Sequence, residues 1–118
     1  MALTRDFKET VQARVRRDPA FRKALLREGI ESLLAGDVET GKTVLRDYIN
    51  ATVGFEGLGS VTQRSPKSLM RMFGPKGNPQ ARNLFEIVAY LQRQEGVRLE
   101  VRAARRQRRH SATAADRR

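Results

Sequence analysis

The chain of 118 residues has room for one domain, which excludes an enzyme built from two lobes around a cleft. Its 24 Lys and Arg against 13 Asp and Glu give a formal net charge of +11, which favours a polyanionic partner, nucleic acid first, over a pocket for acidic substrates. With no cysteine and a single histidine, His110, there is no disulfide framework, thiol nucleophile, histidine-based dyad or zinc site to build, so neither metal nor cofactor is expected.

In chain order, Thr4 is placed to cap a first helix in which Phe7, Val11 and Val15 recur at helical spacing. Asp18-Pro19, an N-cap followed by proline, starts a second helix with Phe21, Leu25, Ile30, Leu33 and Leu34 on one stripe, stopped at Gly36. Asp37 caps a third, whose buried face is Val44, Leu45, Tyr48, Ile49 and Val53, closed by Gly54. A short fourth helix over 55–61 is followed by a polar turn and by Ser65-Pro66, again a cap with proline beside it. The fifth helix (Leu69, Met70, Met72, Phe73) is stopped by GPKGNP at 74–79, and Leu84, Ile87, Val88 and Leu91 mark a sixth that ends near Gly96.

Two segments break the helical pattern. Residues 97–102, VRLEVR, alternate apolar and charged side chains with the period of a half-buried strand; no second strand is available in the chain, so its mate is expected from another copy of the chain or another protein, unless the stretch simply packs as an extended segment. The final stretch, 103–118, has no apolar periodicity and carries six basic side chains against one acidic, so it reads as a disordered arm suited to phosphate contact. The predicted fold class is all-α, a helical bundle containing a phage-repressor-like helix-turn-helix, with a short C-terminal β-strand and a basic tail. Its parts are an N-terminal helical segment (1–53), a helix-turn-helix region (54–96), the strand (97–102) and the arm (103–118). No apolar run approaches the roughly 20 residues of a membrane span, and MALTRDFKET lacks the apolar core of a secretory signal. A cytoplasmic protein without a membrane partner is expected.

GDVETGKT at 36–43 fits the G-x-x-x-x-G-K-[ST] expression of a phosphate-binding loop. That loop works between a buried parallel strand and a helix, with a second strand presenting an acidic residue to Mg²⁺. Here the preceding residues have helical spacing, no such strand follows, and Asp37 and Glu39 would repel phosphates. The string is read as a helix junction, and no enzymatic activity is expected.

FEGLGSVTQRSPKSLMRMF, 55–73, has the form of a helix-turn-helix. Leu58 and Val61 would face the core, Gly59 would admit a close crossing, and Leu69, Met72 and Phe73 would seat the second helix. This leaves Arg64, Ser65, Pro66, Lys67, Ser68 and Arg71 outward, where a reader of the major groove needs them. Lys67 and Arg71, four apart, share a face and suit guanine O6 and N7, whereas Ser65 and Ser68 suit phosphate oxygens.

The run SPKSLMRMFGPKGNP, within a longer stretch from 18 to about 100, resembles the antidote proteins of bacterial toxin-antitoxin addiction modules, the HigA-like branch of the phage-repressor superfamily. The resemblance rests on a Ser-x-x-Ser-Leu recognition helix, here Ser65, Ser68 and Leu69, and on Gly77, Asn78 and Pro79 before the next helix. Gln63 stands where repressor-type turns commonly carry glycine, and Thr62 where they carry an apolar residue. The resemblance implies Pro66, Lys67 and Arg71 near base edges and Ser65 and Ser68 near phosphates. Arg64, Lys76 and Asn78 complete the candidate DNA-binding set. The resemblance further implies an antitoxin that represses its own promoter on double-stranded DNA and neutralises a cognate ribonuclease-type toxin, and a homodimer is expected because a single short helix reads only a few base pairs. A stand-alone regulator or general DNA-binding protein without a toxin is the alternative. Val97, Leu99 and Val101, one face of the predicted strand, are the expected dimer or toxin interface.

Overall fold

Local chemistry sets the helix boundaries. In the computed structural model, which describes residues 5–106 and side chains from Thr10 onward, α1 (Arg5–Arg17) ends where Asp18 turns to extended backbone. The Asp18 carboxylate accepts a hydrogen bond from the Phe21 amide at 3.2 Å, and Pro19, whose missing N–H is not needed in a first turn, opens α2 (Pro19–Leu34). That amide bond holds the Asp18 carboxyl below its ordinary value, with Arg14 contributing less. After Gly36, Asp37 caps α3 (Val38–Ala51) by accepting from the Thr40 amide at 3.3 Å. Two short helices follow, α4 (Gly54–Thr62) and α5 (Pro66–Met72), and then α6 (Ala81–Glu95), which ends in a left-handed residue at Gly96. The expected cap at Thr4 lies outside the described residues, as does the side chain of Phe7.

One apolar cluster joins α2 to α6. Leu26 of α2, Leu45 and Ile49 of α3, Leu58 of α4, Leu69 of α5 and Ile87 of α6 are all fully buried within it. It draws on both the 1–53 and the 54–96 segments, so the two share a core. Two stripe positions differ from expectation: Leu34 is 63% exposed and Val61 52%. Leu34 sits in the last turn of α2, a further 100° round from Leu33, whereas Leu26, overlooked in the sequence, lies on the inward face with Ile30 and Leu33. Val61 lies past the point at which α5 meets α4, beside Gly59.

A largely buried polar node ties α1, α2 and α3 to α6. Arg22 of α2 donates through Nε to both oxygens of Glu95 on α6, at 2.9 and 2.8 Å, and through Nη1 to the Val15 carbonyl of α1 at 3.2 Å. The Tyr48 hydroxyl of α3 donates to the same carboxylate. Burial, reinforced by Glu95, pushes the Tyr48 phenol well above its ordinary range.

No strand forms among the described residues. After Gly96 the chain has no regular secondary structure and folds back on α6, where the Val97 amide donates to the Gln92 carbonyl at 3.0 Å and the Leu99 amide to the Gln92 side-chain oxygen at 2.8 Å. Val97 and Leu99 pack on the core of their own chain, and Val101 is 83% exposed. The alternation at 97–102 therefore marks a segment laid on its own helix, two of its backbone amides met by Gln92 instead of by a second strand. Of the predicted arm, residues 107–118 lie outside the described residues. No described helix is long and apolar enough to cross a membrane.

Candidate nucleic-acid interface

A helix of seven residues such as α5 has no stability of its own, so its position is set by what it buries. Leu69 is fully buried and Phe73, its C-cap residue, is 1% exposed. Each contributes roughly 1.5–3 kcal/mol at ordinary burial energies. Pro66 and the Ser65 cap fix the start, the Ser65 hydroxyl oxygen accepting from the Ser68 amide at 3.1 Å. The turn from α4 passes through Gln63 at φ 58°, ψ 42°, a left-handed residue and the only non-glycine with positive φ among those described. Here a side chain occupies a backbone conformation that only glycine adopts without steric cost. The crossing itself needs Gly59: a β-carbon there would stand 2.5 Å from the Arg64 carbonyl oxygen.

The opposite face of α5 is open. Lys67 and Arg71 are exposed, as are Ser65, Lys76 and Asn78, while Pro66 and Ser68 are half-buried. A cleft of about 230 Å³ brings Ser68, Arg71, Lys76 and Asn78 to one place, with Met72 and Gly77 behind them. Lys67 stands one turn before Arg71 on the same exposed side, outside that cleft. Neither Lys67, Arg71 nor Lys76 takes part in an ion pair among the described residues. Arg64 departs from the expected outward orientation: its Nη2 donates to Asn83 Oδ1 at 3.0 Å and Glu86 Oε1 at 2.9 Å. It ties the turn to α6 because two acceptors there meet its fork.

The turn at 74–79 is pinned by a residue that sequence reasoning passed over. Lys42 is 1% exposed, and its ammonium donates to the Gly74 carbonyl at 2.9 Å and the Gly77 carbonyl at 2.7 Å, with Glu39 at 3.2 Å. Gly77 itself lies against the end of α5, where a β-carbon would come within 2.0 Å of the Arg71 carbonyl oxygen. The phosphate-loop string thus has structural employment. Asp37 caps α3, Gly41 packs against Leu33 of α2, and Lys42 holds a distant turn. Arg46 and Asn50, one and two turns beyond Lys42 on α3, face the same turn and line a second cleft beside Arg71. Their spacing of four with Lys42, off the apolar stripe, was the available signal.

Comparison with protein-family models, curated proteins and solved structures gives no match to this chain, so its functional reading rests on its own residues.

Proposed function

We propose that this protein is a sequence-specific transcriptional regulator in which α4, the Gln63 turn and α5 act as a helix-turn-helix, with α5 in the major groove of double-stranded DNA. The observation that carries the reading is the division of α5. Leu69 and Phe73 hold it to the core, while Lys67 and Arg71 are exposed and in no ion pair among the described residues, and Arg71 shares a cleft with Lys76 and Asn78. Lysine and arginine are the donors that suit guanine O6 and N7, a serine hydroxyl suits phosphate oxygens, and a net charge of +11 supplies long-range attraction. Arg64 acts from within, by holding the turn to α6.

A single short helix reads few base pairs, so the proposal includes a homodimer with two symmetry-related α5 helices about one turn of DNA apart. The likeness of SPKSLMRMFGPKGNP to the addiction-module antidotes extends the proposal to a cytoplasmic antitoxin that represses its own promoter and neutralises a cognate toxin. No catalytic step is assigned.

Selection of binding sites from random duplexes, followed by footprinting, tests the reading. Lys67→Ala and Arg71→Ala are each expected to cost about 1–3 kcal/mol at the selected site and to relax preference at one base position. Unchanged affinity and footprint in both variants would remove α5 from the groove. A small basic reading frame beside the gene, toxic alone and silent when co-expressed with this chain, is the outcome expected of the antitoxin.

A further inference from the structure

The second cleft, of about 540 Å³, opens between α3 and the turn that follows α5. Phe55, Met70 and Pro75 supply apolar surface, and Arg46, Arg71 and Lys76 bring three cations to its lining, with the Asn50 amide among them. No carboxylate lines it, and none of the three cations takes part in an ion pair among the described residues. Its walls are anchored to the core. The Phe55 ring packs tilted on Phe73 with centroids 6.2 Å apart, and Lys42 holds the carbonyls of Gly74 and Gly77. Met70 remains 47% exposed.

Converging cations without a counter-charge repel one another, and the apolar surface beside them is left wet. Inorganic phosphate would neutralise the cations and leave the apolar surface wet, whereas a neutral hydrocarbon would cover that surface and leave the cations unpaired. A carboxylate carried on an aromatic or branched apolar body meets both requirements, and the volume falls within the range of about 300–1,000 Å³ found for small-molecule sites. We propose that this cleft binds a small amphipathic carboxylate and that its occupancy antagonises DNA binding. The apolar body lies on Phe55, Met70 and Pro75, and the carboxylate meets Arg46 together with Arg71 or Lys76. The antagonism follows because Arg71 and Lys76 line both this cleft and the one shared with Ser68 and Asn78. A guanidinium turned to a carboxylate on one side is withdrawn from the other. This second half rests on the proposed placement of α5 in the groove.

The test uses the full chain and 2-naphthoate as probe. Calorimetric titration without DNA is expected to show saturable binding at one site per chain, with 2-naphthalenemethanol and inorganic phosphate each about tenfold weaker or worse. Arg46→Gln, outside the candidate DNA-binding set, is expected to weaken naphthoate about tenfold and to leave affinity for the selected duplex unchanged in its absence. Asn50→Leu provides a second variant that leaves all three cations in place and is expected to weaken naphthoate less. Saturating naphthoate is expected to raise the apparent Kd of the native protein for its duplex, with about tenfold more required in Arg46→Gln. The ligand site is overturned by absence of saturable binding up to millimolar probe, by equal binding of the uncharged alcohol, or by indifference to both substitutions. Loss of duplex affinity in Arg46→Gln without naphthoate binding in the native protein assigns the cations to DNA phosphates and overturns it too. Naphthoate binding with unaltered duplex affinity overturns the antagonism alone. Failure of the native protein to bind any duplex overturns the proposed function and not the ligand site, because the calorimetric titration contains no DNA.

Discussion

A lysine ammonium has three donors and no acceptor, so it is tolerated in an interior only where oxygens come to meet it. Lys42 finds two carbonyls and a carboxylate, and in doing so fixes the turn that carries Lys76 and Asn78. Lys42→Met keeps the apolar stem and removes the donors. It is expected to cost about 2–3 kcal/mol in urea denaturation and to weaken duplex binding, although Lys42 touches no DNA in the proposed complex. If stability falls and duplex affinity at a fully folded concentration does not, the turn is not part of the interface. At the other end of α5, Gln63 bears the steric cost of a left-handed backbone. Gln63→Gly is expected to raise stability by about 0.5–1 kcal/mol, seen as a higher urea midpoint with an unchanged slope. The residues that sequence reasoning placed well at this scale are the ones whose partners are close in the chain, such as Asp18, Asp37 and Ser65, whose acceptors meet amides three residues on. Lys42 was beyond it because its acceptors lie 32 and 35 residues away, and Arg64 because its partners lie 19 and 22 away.

At the scale of elements the same division holds. The six helices were legible because each is bounded by a cap, a proline or a glycine, and because their apolar residues repeat with the helical period. The segment 97–102 left two outcomes open, a paired strand or a stretch packed without one, because alternation reports only that one face is covered; here Gln92 and the core of the same chain do the covering. How the helices meet was invisible: the node at Glu95 joins α2, α3 and α6 across separations of 73 and 47 residues. Tyr48→Phe tests that node. Losing a hydroxyl donor to a buried carboxylate is expected to cost about 1.5–3 kcal/mol near neutral pH. The folded phenol ionises above its ordinary value of 10.0, chiefly through burial and then through Glu95, so the neutral form is the one the fold favours. The stabilisation is therefore complete below the unfolded value and is lost as pH rises from about 10 towards the folded one. Denaturation midpoints of native protein and Tyr48→Phe should keep a constant gap from pH 7 to about 9 and converge above 10. A gap that stays constant through the alkaline range would mean that Tyr48 is not protected.

Over the whole molecule, charge is graded along the chain: +2 over 1–53, +4 over 54–102 and +5 over 103–118. Among the described residues the last to pack on the core is Leu99, and the most basic stretch follows it in the sequence. Arginines outside the packed core meet phosphates without a fixed register on base edges, and their contribution to binding is the release of counterions. Each phosphate neutralised contributes about 0.9 to the slope of log K against log salt. Deleting residues 103–118, with six basic side chains, is therefore expected to flatten that slope by at most about 5 and to weaken binding most at low salt. The thermal midpoint should stay where it is, since every residue that packs in the core among those described precedes 103. The ratio of affinities for selected and random duplexes should also be unchanged, because in the proposed complex discrimination belongs to Lys67, Arg71 and their neighbours on the turn. Equal losses of affinity and discrimination would place the arm in a minor groove as a second reader. An unchanged slope would mean that its arginines never reach the phosphates, and that the attraction of this basic chain for DNA comes from the helical body alone.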